Sequence, residues 1–171
     1  MRTLYLLRHA KSAWKDPTLD DHDRPLAPRG DRAARALAQH FRRLKADPEL
    51  VLCSTAVRTR ETLDLVMAGF SKPPIVAMER GLYLAVPSSI LARLREVDNR
   101  VERVLVIGHN PGLHELALKL AQHGPAKARA ELQRKYPTAA LVTYEVDGDW
   151  AGLGTKSTRL ADYVTPAKSE D

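Results

Sequence analysis

Short apolar runs alternate with helically spaced apolar positions along most of this chain. Leu4-Tyr5-Leu6-Leu7 is the first run, four apolar residues bounded by charge, and predicts a short, fully buried strand. Leu50-Val51-Leu52-Cys53, Ile75-Val76-Ala77 and Val104-Leu105-Val106-Ile107 repeat that pattern, and Ala139 to Val146 predicts a longer strand. Between them, Ala33, Ala34, Leu37, Ala38, Phe41 and Leu44 follow the period of a helix. Leu63, Val66, Met67 and Phe70 mark a second helix, which Ser54 or Thr55 can cap and which Gly69 and Pro73-Pro74 end. Pro87-Ser88-Ser89 opens a third, with Ile90, Leu91, Leu94 and Val97 inward, and Leu113, Leu116, Ala117 and Leu120 define a fourth.

The remaining stretches read as connections. Lys11 to Arg29 carries Pro17, Pro25 and Pro28 without periodicity and predicts a loop. A polar, alanine-rich connection follows Leu120, and Asp147-Gly148-Asp149 predicts a hairpin turn with a short returning strand near Trp150 to Leu153. Thr165 to Asp171 is polar and expected to fray. Strand–helix alternation of this kind argues for an α/β protein, a three-layer α/β/α sandwich on a mainly parallel sheet. Its 171 residues suit a single domain, 1–171, and show neither a repeat nor a linker.

Composition narrows the classes of function. A hydrophobic share of 44% with 28% charged residues is that of a soluble globular protein, and no apolar run is long enough to span a membrane. The first strand is too short for a signal peptide and the single cysteine leaves no internal disulfide, so a cytoplasmic location is expected. The net charge of +6 favours anionic partners. The cations are spread along the chain beside acids, as in Arg29-Gly30-Asp31-Arg32, and aromatic residues are only 5%, which argues against a nucleic-acid surface. A phosphorylated substrate accounts for the charge equally well.

Chemistry concentrates where predicted strands leave the core. The first strand delivers Arg8 and His9, the second runs into Ser54, Thr55 and Arg58, and the run at Ile107 delivers His109. Ends of parallel strands share one sheet edge, the edge at which ligands bind in open α/β sheets. Two imidazoles and two guanidiniums gathered there need a counter-charge, because buried unpaired cations are costly. A bound anion supplies it.

Those residues also carry a resemblance. Arg8-His9-Ala10-Lys11-Ser12, with Trp14 beyond it, resembles the RHG signature of the histidine phosphatase (phosphoglycerate mutase-like) superfamily. Ser54 to Arg58 with Glu61-Thr62 resembles its second block, and Gly108-His109-Asn110 its third. Arg24-Pro25-Leu26 followed by Gly30 is similar to a segment of the small SixA-like branch. The resemblance implies the fold of that superfamily and a two-step phosphoryl transfer, with His9 as nucleophile. It further implies that Arg8, Arg58 and His109 hold the phosphoryl oxygens and that Arg24 adds a guanidinium. Ser12 and Asn110 are further substrate-binding candidates. Arginine forks match phosphate oxygens, and neighbouring cations keep an imidazole neutral and nucleophilic.

The implied substrate is a phosphorylated one, with phosphohistidine on a protein favoured and inorganic phosphate or other oxyanions expected in the same pocket. A phosphatase for small phosphomonoesters is the alternative, and a non-catalytic phosphate-binding module is the rival of another class. No cofactor, metal, nucleic acid or membrane is expected. The position matched to the acid that protonates alcohol leaving groups elsewhere in the superfamily is Leu84, with Glu79 the nearest substitute. Cys53 and Arg58 are one residue too close for a C-x5-R thiol phosphatase, so Cys53 reads as a buried strand-end residue. Asp20-Asp21-His22-Asp23 reads as a solvated acidic loop that could reach the entrance of the site, His114-Glu115 lacks the HExxH spacing, and Gly152-Leu153-Gly154 reads as a turn.

Overall fold

A computed structural model describes residues 1–166, so most of the polar C-terminal stretch, 167–171, lies outside the described residues. Six strands form one sheet: β1 (Arg2–Arg8), β2 (Leu50–Ser54), β3 (Ile75–Glu79), β4 (Arg103–Gly108), β5 (Leu141–Val146) and β6 (Thr158–Val164). Their spatial order is β3-β2-β4-β1-β5-β6. The first four in that order run parallel, and β5 and β6 are antiparallel to their neighbours. The expected sandwich on a mainly parallel sheet is therefore what the chain adopts.

Burial on both faces explains why the central strands read as continuous apolar runs. In β1, Leu4 and Leu6 point to one core and Tyr5 and Leu7 to the other, and in β4 Val104 and Val106 are divided from Leu105 and Ile107 in the same way. Helices α1 (Pro28–Leu44) and α2 (Val57–Val66) cover the Tyr5–Leu7 face. There Phe41, fully buried, meets Tyr5 and Phe70 edge-on at 5.3 and 5.1 Å. Helices α3 (Pro87–Arg95), α4 (Gly112–Leu120) and α5 (Ala126–Arg134) lie on the side of the Leu4–Leu6 core.

Three readings of the sequence need correction. The connection after Leu120 contains α5, a nine-residue helix whose only buried residue is Leu132, too little to show a helical period. The segment from Trp150 is a 3-10 turn (Trp150–Gly152) and not a strand. Trp150 is buried there with Nε1 donating to Val101 O at 2.7 Å, and Arg95 donates to Leu153 O, so this backbone is drawn onto the sheet's flank and β6 takes the pairing place. Finally, Ser54 and Thr55 do not cap α2, which starts after Ala56. Their hydroxyls bond two imidazoles, His109 and His22 respectively.

The loop between β1 and α1 is pinned. Ser12 bridges to Leu26 across it, and Lys11 O accepts from Ala27 N at 2.9 Å. At Gly30 a Cβ would collide with Lys11 backbone atoms, so the close approach of α1 to the strand-1 turn requires glycine.

Candidate active site

Strand β4 lies between β1 and β2 and runs parallel to both, so the carboxyl ends of the three bring Arg8-His9, Ser54 with Arg58, and His109 together. Arg8, His9, Arg58 and His109 line a pocket of about 360 Å³ with Lys11, Ser12, Trp14, Arg24, Leu84, Asn110 and Thr138. Every one of the seven candidate residues thus sits on this pocket. His9, Arg24, Arg58 and His109 are buried polar groups, and no carboxylate is among the described lining residues. A larger groove of about 510 Å³ lies between α1 and α2, but Asp31, Glu61 and Asp64 wall it, which is the wrong charge for an anion.

The tautomer of His9 is set by its neighbour. Nδ1 lies 2.7 Å from Ala10 O, and a carbonyl only accepts, so Nδ1 carries the hydrogen and Nε2 presents a lone pair. Ala10 is held in turn: its N–H donates to Thr62 Oγ1 at 3.0 Å, and that hydroxyl donates to Arg58 O at 2.7 Å. One threonine of α2 therefore ties the strand-1 turn to the arginine. Burial, with help from Arg58, Arg8 and Arg24, brings the His9 pKa down to about 3 against the bond to Ala10, so the ring is neutral at pH 7.

His109 faces His9 with ring centroids 5.3 Å apart. Arg58 Nη2 approaches its Nδ1 at 3.3 Å, and because guanidinium only donates, Nε2 carries the hydrogen and donates to Ser54 Oγ at 2.7 Å. Burial first, then His9 and Arg58, lower its pKa to about 3. Burial also pushes the Cys53 thiol up to about 12, consistent with an inert strand-end residue.

The guanidiniums are anchored from outside the pocket. Arg8 Nη1 donates to Tyr136 O at 3.1 Å, and Asn110 Nδ2 donates to the same carbonyl at 2.9 Å. Arg24 Nη1 donates to Ser12 Oγ at 2.6 Å, and its guanidinium lies 3.5 Å from the centre of the Trp14 ring. Nε of Arg8 and Nε of Arg58 are buried without a partner, so the site holds more guanidinium hydrogen than the protein itself consumes.

The acidic loop is not simply solvated, because Asp21 is turned inward. Its Oδ1 accepts from Arg24 Nε and Nη2 at 3.2 and 2.9 Å, and its Oδ2 accepts from Arg58 Nη2 at 2.9 Å and from the Tyr83 hydroxyl. Its main-chain O also accepts from Arg58 Nη1 at 2.7 Å. Although partial burial opposes it, bonds from Tyr83, Arg24 and Arg58 hold the Asp21 carboxyl well below the usual carboxylate range. Sequence reading missed Asp21 and Tyr83 as parts of the site. An Asp three residues before Arg24 was the available signal. Among the described residues no group of three His, Cys, Asp or Glu is arranged to hold a metal.

Leu84 lines the pocket, where an acid was matched to it. Glu79 does not line it, since Arg93 Nε clamps both its carboxylate oxygens at 2.8 and 2.9 Å.

The fold, with paired histidines and arginines at one sheet edge, is that expected of the histidine phosphatase superfamily, and residues 4–82 match the histidine phosphatase superfamily (branch 1) family model. The chain belongs to that superfamily. It is 39% identical over 162 residues to an uncharacterized protein of Mycobacterium tuberculosis, spanning 94% of this chain and 99% of that one. Among solved structures, a protein assigned as the phosphohistidine phosphatase SixA of Nakamurella multipartitia is 32% identical, with a TM-score of 0.85 over 96% of both chains. The corresponding protein of Agrobacterium tumefaciens is 28% identical, with a TM-score of 0.81 over 96% of this chain and 98% of that one.

Proposed function

We propose that this chain is a cytoplasmic, metal-independent phosphohydrolase of one domain that removes phosphate from phosphohistidine on a protein. The observation that carries the reading is a pocket rich in guanidinium, with a neutral imidazole and no carboxylic acid among its described lining residues. His9 Nε2 attacks phosphorus in line, the bond from phosphorus to the substrate nitrogen breaks, and a phosphoryl group is left on His9. Phospho-His9 keeps its Nδ1 hydrogen, and the positive charge its ring gains is met by Ala10 O. Arg8 and Arg58 neutralise the equatorial oxygens, neutral His109 can turn its Nε2 hydrogen from Ser54 to a phosphoryl oxygen, Arg24, with Ser12 beside it, adds positive charge, and Asn110 braces the wall through Tyr136 O. Water then hydrolyses phospho-His9 and releases inorganic phosphate. Phosphoryl transfer asks mainly for positioning and charge neutralisation, which arginines provide without a metal.

The leaving group selects the substrate. An alkoxide needs a proton in the transition state, whereas an imidazole protonated on its other nitrogen leaves as a neutral ring. With Leu84 on the pocket wall, Glu79 held by Arg93 and Asp21 kept ionised by Arg24 and Arg58, no carboxylic acid among the described lining residues is placed to donate to an alcohol. The solved relatives assigned as SixA proteins point to the same substrate class. The test is a side-by-side measurement with phosphohistidine protein, phosphoramidate and a panel of phosphomonoesters under exhaustive chelation. Fast phosphohistidine turnover with slow alkyl phosphate turnover is expected. Comparable alkyl rates, or loss of activity on chelation restored by zinc or magnesium, would overturn the reading.

A further inference from the structure

Two large apolar side chains stand at the mouth of this otherwise polar pocket. Trp14 is 71% exposed and Leu84 is 52% exposed, and both line the cavity. An isolated exposed leucine means little, but a pair on the rim of a cationic pocket is a feature to be explained. Each is also held there. The Arg24 guanidinium covers one face of the Trp14 indole at 3.5 Å from the ring centre and leaves the other face open.

Leu84 has a φ of 51°, in the left-handed region that a leucine adopts only against strain. The surrounding backbone enforces it. Tyr83 N donates to Arg80 O and Ala85 N to Leu82 O, and Ala85 O lies so close to Gly112 that a Cβ there would collide with it. The chain thus retains a costly conformation that leaves a leucine half-exposed at the pocket mouth.

We propose that Trp14 and Leu84 form an apolar clamp that grips the leaving group as a flat ring, and so make the pair a specificity determinant. The inference rests on the phosphohistidine reading and deepens it, because the ring to be gripped is the imidazole that carries the phosphoryl group. The open indole face offers a stacking surface at the mouth of the pocket that His9 lines, and Leu84 supplies an apolar contact on the same pocket. Of the lining side chains, Lys11 and Thr138 are polar but carry no negative charge that would hold a second cation.

Phosphoramidate isolates the ring, since it has the same phosphorus–nitrogen bond but leaves as ammonia. The ratio of kcat/KM for a phosphohistidine peptide to kcat/KM for phosphoramidate should fall about tenfold in Trp14→Ala, chiefly through KM, as expected for one lost aromatic contact. Trp14→Phe should restore most of the ratio, and Leu84→Ala, which does not touch Arg24, should lower it severalfold. Both sites are surface-exposed, and thermal melts will confirm folding. An unchanged ratio in both alanine variants, or an equal loss on both substrates that traces Trp14 to Arg24 alone, would overturn the clamp. The phosphohistidine reading fails separately, if the unmodified enzyme itself does not favour phosphohistidine over alkyl phosphates. In that case the same variants measured on phenyl phosphate against ethyl phosphate decide the clamp, which an unchanged ratio would again refute.

Discussion

Asp21→Asn is the sharpest test of how the guanidiniums are held. The amide keeps the shape of the carboxylate, and its Oδ1 can still accept from Arg24 Nε and Nη2. Its NH2, however, replaces the oxygen that accepts from Arg58 Nη2 at 2.9 Å and from the Tyr83 hydroxyl, so the guanidinium donor now faces a donor, whereas the hydroxyl can turn to accept from the amide. A hydrogen bond to a charged group contributes about 1.5–3 kcal/mol. Because the Asp21 side chain is 44% exposed, solvent screening brings that toward the low end. The main-chain bond from Arg58 Nη1 to Asp21 O survives.

The expected loss, carried by the charged Arg58 contact, is about 2 kcal/mol, or a fall in Tm of about 4–8 °C for a chain of this length. Calorimetry in phosphate-free, low-salt buffer reads it. Inorganic phosphate should then raise Tm more in the variant than in the unmodified protein, because the anion replaces the missing charge and stabilises by mass action. A Tm unchanged to within about 1 °C, or raised, would refute the view that Asp21 organises Arg24 and Arg58.

Other outcomes follow from the same geometry. His9→Ala should abolish an acid-labile, alkali-stable phosphoenzyme trapped by rapid quench, and normal turnover by this variant would end the nucleophile assignment. His9 and His109 titrate near 3 when folded and near 6.5 when unfolded, so the unfolded chain binds more protons between those values. Stability should therefore be flat above about pH 6.5 and fall as pH drops through that window, with Asp21 adding to the loss at the acid end; pH-dependent denaturation measures it. Glu79→Gln should leave phosphohistidine hydrolysis within about twofold, since its carboxylate is engaged by Arg93 away from the pocket. Leu84→Glu should raise alkyl phosphate turnover by about tenfold or more, read with serine phosphate, because it places an acid where the pocket has none.

The readable parts of the site were those where chemistry follows directly on a strand. Arg8-His9, Arg58 and His109 each come at most five residues after a buried apolar run, and the parallel register of β1, β2 and β4 carries that adjacency into space. Asp21 was harder, because 37 residues separate it from Arg58 and its place three residues before Arg24 is the one mark that sets it apart from Asp20 and Asp23. The carbonyl of Tyr136 that anchors Arg8 and Asn110 could not be read at all, since a backbone oxygen leaves no trace in side-chain identity. The same physics explains the missed α5 and the misplaced last strand. A helix with one buried residue has no period to find, and Trp150 suggests a strand until its indole is seen to bond Val101 O.

A division of labour runs through the proposed enzyme. The groups assigned to the phosphoryl moiety stand at or just beyond the ends of β1, β2 and β4, where sheet hydrogen bonds and two packed cores fix them. The residues at the mouth come from connections: Trp14 from the loop after β1, Leu84 from the turn after β3, and Thr138 from the approach to β5. Rigid elements suit chemistry that tolerates little misplacement, and loops suit contacts that differ from one leaving group to the next. A substitution at Leu84 can therefore change which leaving group departs while Arg8, His9, Arg58 and His109 keep their positions. The proposed choice of substrate rests on a few loop residues, and at position 84, which the resemblance to the superfamily matches to an acid, this chain carries a strained, half-exposed leucine.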